Sequence, residues 1–517
     1  MKSIYITFLL FFGCIGILSA QDSIYVMSNG EVVFKQALSE IDSISFMNST
    51  LKNVADEMAE DSSISLFYKA YELTGYARQM KEAAYQDDTF DPNVHPWIPM
   101  THTVLEEYPV ARQLGYTVLV VNDSVLAGYK ECPACPDGVR SVSDLEKVAA
   151  YYYSQVYPDG EGVTDLTDKR NYLNRFIAYH CLNRRLSVSR FIKDFDMPNQ
   201  LKQYDMFEYI ETMLDNTLLE VQLDRDQTLD QSQFGLLNSM GDPAKAVRFT
   251  SRINQGGSLN GYYQELTKPV IYSKDVMTAI SSKRLRLDMS SFFPELATNN
   301  MRGNNPAGVA ATRGKTHAYL LPVGYLDGLT YSTDTRTTYL GACVAYEDFQ
   351  GDEFNFKGKY DVSIKTLSVP AGTYEVRLGY QPSAYRGKAL FYLDDVVCGD
   401  TVNLSLYATD PEIGWVMPGS DATDPYGYEN DKLLRSHGYM KAPSSYYCAG
   451  HWYGYNAATA RLSPYSLRKI IGTFVFDKPG KHTLRVVNVG RASSALLLMM
   501  DYLEFVPTSV IPSEGID

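Results

Sequence analysis

The chain has 517 residues, 45% hydrophobic and 21% charged, and carries 47 Lys+Arg against 61 Asp+Glu for a net charge of −14. That length supports two to four domains with cores of their own, and the composition excludes a disulfide-stapled mini-protein, a collagen, a coiled coil and wholesale disorder. An acidic surface repels phosphate backbones and speaks against a nucleic-acid partner.

Lys2 is the only charge before an apolar run from Ile4 to Leu18, and Ser19-Ala20-Gln21 places a small residue where a signal peptidase cuts. Residues 1–20 therefore read as a signal peptide, which implies export to the periplasm or cell surface. Gly13-Cys14 offers a rival reading, lipidation at Cys14, but Phe11 and Phe12 fit it poorly and the apolar run continues past it. No later segment reaches the roughly 20 apolar residues of a membrane span.

Ile24 to Met27 and Val32 to Phe34 flank Asn29-Gly30, a hairpin signature that predicts a small β element over 21–48. From about residue 50 the period changes. Leu51, Val54, Ala55 and Met58 share a helical face, as do Ile64, Phe67, Tyr68 and Tyr71 up to Thr74-Gly75. Tyr116 to Val121 is a β-branched strand run, and Asn122-Asp123-Ser124 can cap a helix starting near Val125. A helix over Tyr172 to His180, a strand over Leu218 to Val221, and short closing strands at Ile253, Asn260-Gly261-Tyr262-Tyr263 and Val270-Ile271-Tyr272 follow.

After the turn-rich stretch 303–320, alternation replaces helical periodicity. Tyr360 to Ile364, Tyr374 to Leu378, Leu390 to Leu393, Thr473 to Phe476 and His482 to Val486 each alternate, with turns such as Pro370-Ala371-Gly372 and Lys478-Pro479-Gly480 between them. A two-layer sandwich buries such strands best. The tail after Pro507 is polar and is expected to fray.

The order of the pieces from Leu73-Thr74-Gly75 through Tyr116 to Val121, Phe176 to His180 and Leu218 to Val221 to Asn260-Gly261-Tyr262-Tyr263 resembles a fasciclin-like domain. Val120-Val121 stands where that family usually has Ala-Pro, and insertions around 85–110 and 131–165 enlarge its loops. Ala371 to Leu378, Phe391-Tyr392-Leu393-Asp394, His482 to Val486 and Asp501 to Pro507 are similar to carbohydrate-binding modules of the galactose-binding-like jelly-roll type. The resemblances imply an α+β fasciclin-like domain over 50–302, a linker over 303–320, an all-β jelly-roll sandwich over 321–508 and a tail over 509–517. Taken with the signal peptide, the whole is similar to surface-exposed accessory proteins found beside glycan-import machinery in Gram-negative gut bacteria. The implied role is non-catalytic adhesion or binding, with a glycan or a cell-surface protein as partner.

No reactive centre stands out by residue type. The seven histidines never form His-Glu-x-x-His, Gly256-Gly257-Ser258-Leu259-Asn260 lacks the final glycine of a nucleophile elbow, and there is no phosphate loop or dinucleotide fingerprint. Cys132-Pro-Ala-Cys135 lacks the second half-site of a tetrahedral zinc, which leaves a local disulfide or two thiols. Paired carboxylates brought together from distant loops leave no spacing to find, so the alternative is a carbohydrate-active hydrolase. No cofactor is expected. Asp421, Asp424, Glu429 and Asp431 offer hard oxygens for calcium without the register of a calcium loop.

Tyr179-His180 corresponds to a pair associated with adhesion in fasciclin-like proteins, although a histidine on an apolar helix is more often a hydrogen-bonded core residue. Aromatics carry the binding expectation, because the chain holds 40 Tyr and sugar C–H faces stack on rings. Trp452, Tyr453, Tyr455 and Asn456 lie in one glycine-containing loop, with Trp415, Tyr426 and Tyr428 nearby in sequence. The same rings could instead plug the end of the sandwich.

Overall fold

The structure is a computed structural model that describes residues 23–28, 31–37, 52–87, 103–106, 108–109, 111–188, 191, 201–203, 207–223, 235–253, 258–302, 316–342, 348–444, 446–448, 459–490 and 496–515. Two units result, Met1–Leu51 and Lys52–Asp517. In the first, Ser23–Ser28 pairs antiparallel with Glu31–Ala37, with a register shift at Val26/Met27. The expected signal peptide and Cys14 lie outside the described residues.

The second unit is a mixed α/β body in which strands predominate. Its α/β portion is built around a four-stranded sheet ordered Phe249–Ile253, Gly261–Leu266, Tyr116–Val120 and Cys181–Leu182. The central pair, Gly261–Leu266 and Tyr116–Val120, runs parallel. Helices Val54–Glu60, Ser65–Leu73, Val142–Tyr153 and Tyr172–Tyr179 contribute apolar faces to the core. The Asn122 side chain accepts from the Ser124 and Val125 amides and so starts the helix Asp123–Gly128, as its sequence requires. Val270 to Tyr272, expected as a strand, has no ladder. Instead Val270 N donates to His180 Nε2 and Tyr272 N to the Tyr153 hydroxyl, so side chains satisfy these backbone donors beyond Pro269.

The alternating segments form antiparallel strands, Asp361–Lys365, Gly372–Tyr380, Lys388–Leu393, Leu467–Phe476 and Thr483–Asn488, of which Leu467–Phe476 begins six residues before the expected Thr473 and the others lie close to their expected bounds. One five-stranded sheet is ordered Leu285–Asp288, Tyr502–Pro507, Gly372–Tyr380, Leu467–Phe476 and Tyr439–Lys441. A second runs Leu497–Met500, Glu353–Gly358, Thr335–Ala342, Thr316–Leu320 and Thr103–Glu106. The expected separation into a body over 50–302 and a sandwich over 321–508 does not hold, because described strands from both ranges share sheets within one unit. Leu285–Asp288 pairs with Tyr502–Pro507, Thr103–Glu106 with Thr316–Leu320, and Leu201–Gln203 with Tyr446–Cys448. One hydrophobic cluster runs from Val54 to Phe505 across the whole unit.

The tail is fastened rather than frayed. Thr508 N donates to Thr373 O, and Glu514 accepts two bonds from Arg377 (2.7 and 2.8 Å) and one from Arg284 (2.9 Å). Charge-assisted forks of this kind hold a polar segment that its hydropathy alone would release.

Gly379, within Gly372–Tyr380, lies against the fully buried Tyr502 ring, into which any Cβ at that position would run. Both neighbours are central strands with no room to move aside, so Gly379→Ala is expected to cost about 1–3 kcal/mol, read as a lower urea midpoint with an unchanged slope.

Candidate ligand-binding surfaces

Tyr179 and His180 end the helix Tyr172–Tyr179 and are both fully buried. The Tyr179 hydroxyl donates to Leu218 O (2.9 Å) and accepts from Asn238 Nδ2 (3.0 Å). His180 Nδ1 lies 2.8 Å from Phe176 O, and its Nε2 accepts from Val270 N. A carbonyl on one nitrogen and an amide on the other assign the neutral Nδ1–H form. Burial brings its pKa down to about 4. The pair staples helix to sheet and offers nothing to a partner.

Trp415 is only 6% exposed and belongs to the core, which removes it from the ligand-facing set. A large ring in this sheet-rich body is worth more as buried area than as a platform. Tyr426 and Tyr428 differ: they are 67% and 50% exposed, their ring centroids lie 5.6 Å apart and their planes are tilted by 31°. Gly427 between them adopts φ +74°, a left-handed conformation that an L side chain resists, and it starts the helix Tyr428–Ser436. Trp452, Tyr453, Tyr455 and Asn456 lie outside the described residues.

The four acidic candidates for calcium are each used locally. Asp421 accepts from Thr423 N and Oγ1, Asp424 from Asn430 N, Glu429 pairs with Lys432, and Asp431 pairs with Lys441 and Arg461. Turn formation and ion pairing thus spread their oxygens over separate partners. Among the described residues no three His, Cys, Asp or Glu side chains are placed to hold a metal ion. Cys132 and Cys135 are buried thiols, and Cys135 Sγ donates to Asp144 O. Ser258 makes a turn, with its N and Oγ both donating to Gly261 O.

Sequence reading misses a cleft of about 810 Å³ where the α/β portion meets the strand-rich portion. Such a volume suits a small ligand. Tyr116, Arg184, Glu211, Glu295, Asp327 and Lys481 line it together with amide and hydroxyl side chains. Glu211 accepts from Ser368 N (2.9 Å) and Oγ (3.0 Å) and pairs with Lys481 at 2.5 Å. Glu295 is only 5% exposed, its Oε1 accepts from Asp327 N at 3.3 Å, and its Oε2 has no hydrogen-bond partner. Burial, reinforced by the Asp327 charge, pushes its carboxyl up to about 7. Arg184, buried and next to the Arg302 charge, is brought down to about 10. These residues come from segments far apart in the chain and share no spacing, so no sequence signal would have gathered them.

No family model matches the chain, and no curated protein matches it. Among solved structures it shows a partial similarity to a Paenibacillus xanthan lyase, at 16% identity over 37% of this chain and 12% of the lyase, with a TM-score of 0.19. The insecticidal crystal protein Cry2Aa aligns at 12% identity over 37% of this chain and 22% of its own, with a TM-score of 0.19. An exo-β-1,3-galactanase from Phanerochaete chrysosporium aligns at 7% identity over 59% and 68% of the two chains, with a TM-score of 0.16. The chain thus spans well under two thirds of the first two proteins.

Proposed function

We propose that the protein is an exported, non-catalytic glycan-binding protein, in which a fasciclin-like α/β portion supports a galactose-binding-like β portion. The exposed, mutually tilted pair Tyr426 and Tyr428 carries this reading, because two half-free rings held by a helix start form a platform for the C–H face of a sugar. Periplasm or cell surface is its proposed place, on the strength of residues 1–20. No helix among the described residues is long and apolar enough to cross a membrane.

Affinity-gel electrophoresis against a panel of polysaccharides tests the proposal. With each ring contributing about 1 kcal/mol, Tyr426→Ala combined with Tyr428→Ala is expected to weaken binding roughly thirty-fold. Both residues are exposed, so the melting temperature should hold. Retardation by every glycan that is equal in wild type and variant would overturn the platform.

A second reading, glycoside hydrolysis, is favoured by one observation. Glu295, with its carboxyl near 7, lines the same cleft as the ion-paired Glu211, and carboxylates in unlike environments are what acid–base hydrolysis uses. Release of reducing sugar that vanishes in Glu295→Gln would establish it and displace the non-catalytic reading.

A further inference from the structure

The strand-rich portion holds a second cavity, of about 530 Å³, built differently from the tyrosine platform; its lining includes His437, which closes the helix that Tyr428 begins. Its floor is apolar and buried: Phe391 is 1% exposed, Tyr439 6% and Ile471 8%. Its rim is polar and exposed, with Lys388, Asp400, Glu412 and His437. Between floor and rim lies Lys469, on the strand Leu467–Phe476.

Lys469 is the unusual group. Its ammonium donates to Gly438 O at 2.9 Å and sits 4.3 Å from the centre of the Tyr439 ring. Among the described residues no carboxylate lies within 4.0 Å of it. An ammonium has three N–H donors, and here one carbonyl and one ring face answer them. Lys441, on the adjoining strand Tyr439–Lys441, shows the ordinary solution, donating to Asp431 at 2.9 Å and Asn430 at 2.6 Å. Burial lowers the Lys469 pKa to about 8, the direction expected for a cation short of counter-charge. Gly438 keeps the arrangement possible: it sits at φ +77°, and a Cβ there would come within 2.6 Å of Lys469 Nζ.

A sunken cation with spare donors, opening on a cavity with an apolar floor and a hydrogen-bonding rim, matches a small ligand that is anionic at one end and hydroxylated at the other. We propose that this cavity binds a sugar acid of hexuronate size, its carboxylate on Lys469, its hydroxyls on Asp400, Asn403 and Glu412, and its C–H face over Phe391 and Ile471. The site is independent of the Tyr426/Tyr428 platform and stands or falls separately from it.

Titration calorimetry of the full chain with sodium galacturonate, its methyl ester, galactose and inorganic phosphate tests this. The ester keeps shape and hydroxyls and loses only the charge, so the decisive comparison needs no variant. Galacturonate should bind at least tenfold more tightly than either the ester or galactose, and phosphate should not bind with comparable affinity. Lys469→Met should abolish that tenfold preference, and Lys469→Arg should keep some of it. Equal affinity for galacturonate and its ester, no galacturonate binding, or a preference for phosphate would each overturn the proposal. Should Lys469→Met fail to fold, the ester comparison on the unaltered protein still decides.

Discussion

Glu504→Gln is expected to destabilise the Lys52–Asp517 unit by about 3–5 kcal/mol, the cost of breaking a buried ion cluster from one side. Glu504 is wholly buried in the strand Tyr502–Pro507. Its Oε1 lies 2.7 Å from Arg286 Nε, its Oε2 3.3 Å from both Arg377 and Arg468, and Arg284 stands 4.0 Å away. Burial by itself would raise this carboxyl, but the four guanidinium charges outweigh it and hold the group well below the ordinary carboxylate range. The amide keeps the size and loses the charge, and it leaves Arg377 and Arg468, 0% and 1% exposed, without their shared counter-ion. Because the folded pKa is depressed, the stabilisation is complete above the unfolded value of about 4.3 and is lost as pH falls through the folded value. Urea unfolding at pH 7 provides the measurement. A midpoint equal to that of wild type would show that the guanidiniums are compensated elsewhere.

The second large effect belongs to His180. Its imidazole is buried neutral with a pKa near 4, whereas an unfolded histidine titrates near 6.5. The unfolded chain therefore takes up a proton in this window and the folded chain does not. The stability that this group contributes is complete above about 6.5 and declines as pH falls towards about 4, by about 3 kcal/mol in all. Glu295 acts in the opposite sense over some of the same range, since its carboxyl is raised and the folded state there holds the extra proton. The absolute slope of stability on pH is thus a mixture, and the informative quantity is the difference between wild type and His180→Gln. That difference should fall by about 3 kcal/mol as pH drops from 6.5 towards 4, so that it vanishes or changes sign. At pH 7 the variant should be weaker by about 1–3 kcal/mol, because Val270 N and Phe176 O lose well-aimed partners. Parallel curves for the two proteins would mean that His180 is not held neutral.

Local chemistry makes much of the fold legible. The Asn122 cap, the helical faces around Val54 and Phe67, and the alternation of Asp361–Lys365 and Gly372–Tyr380 are each written in a few neighbouring residues. The helix Tyr428–Ser436 escapes sequence reading because it is mostly polar and buries only Leu434. Val270 to Tyr272 resembles a strand because β-branched residues fit a pleat, and nothing local reveals that His180 and Tyr153 take its amides. Pairing between Leu285–Asp288 and Tyr502–Pro507 is a matter of register between remote segments, and hydropathy carries no record of it. The same holds for both cavities. Glu211 and Glu295 come to line one cleft through tertiary packing, and Lys469 reads in sequence as one more outward charge on an alternating strand. The exposed Tyr426 and Tyr428 are legible as aromatics, but not as distinct from the buried Trp415.

The sharing of sheets across residue 310 bears on how the chain can be assembled. Leu285–Asp288 has no neighbour until Tyr502–Pro507 exists, and Thr103–Glu106 sits at the edge of a sheet whose other members all come later. A polypeptide emerging from the ribosome must keep these edges unpaired for most of its synthesis, which exposes them to misassociation. For the same reason a gene split within 303–315 should yield two pieces that are each insoluble alone and that reconstitute one another when co-expressed.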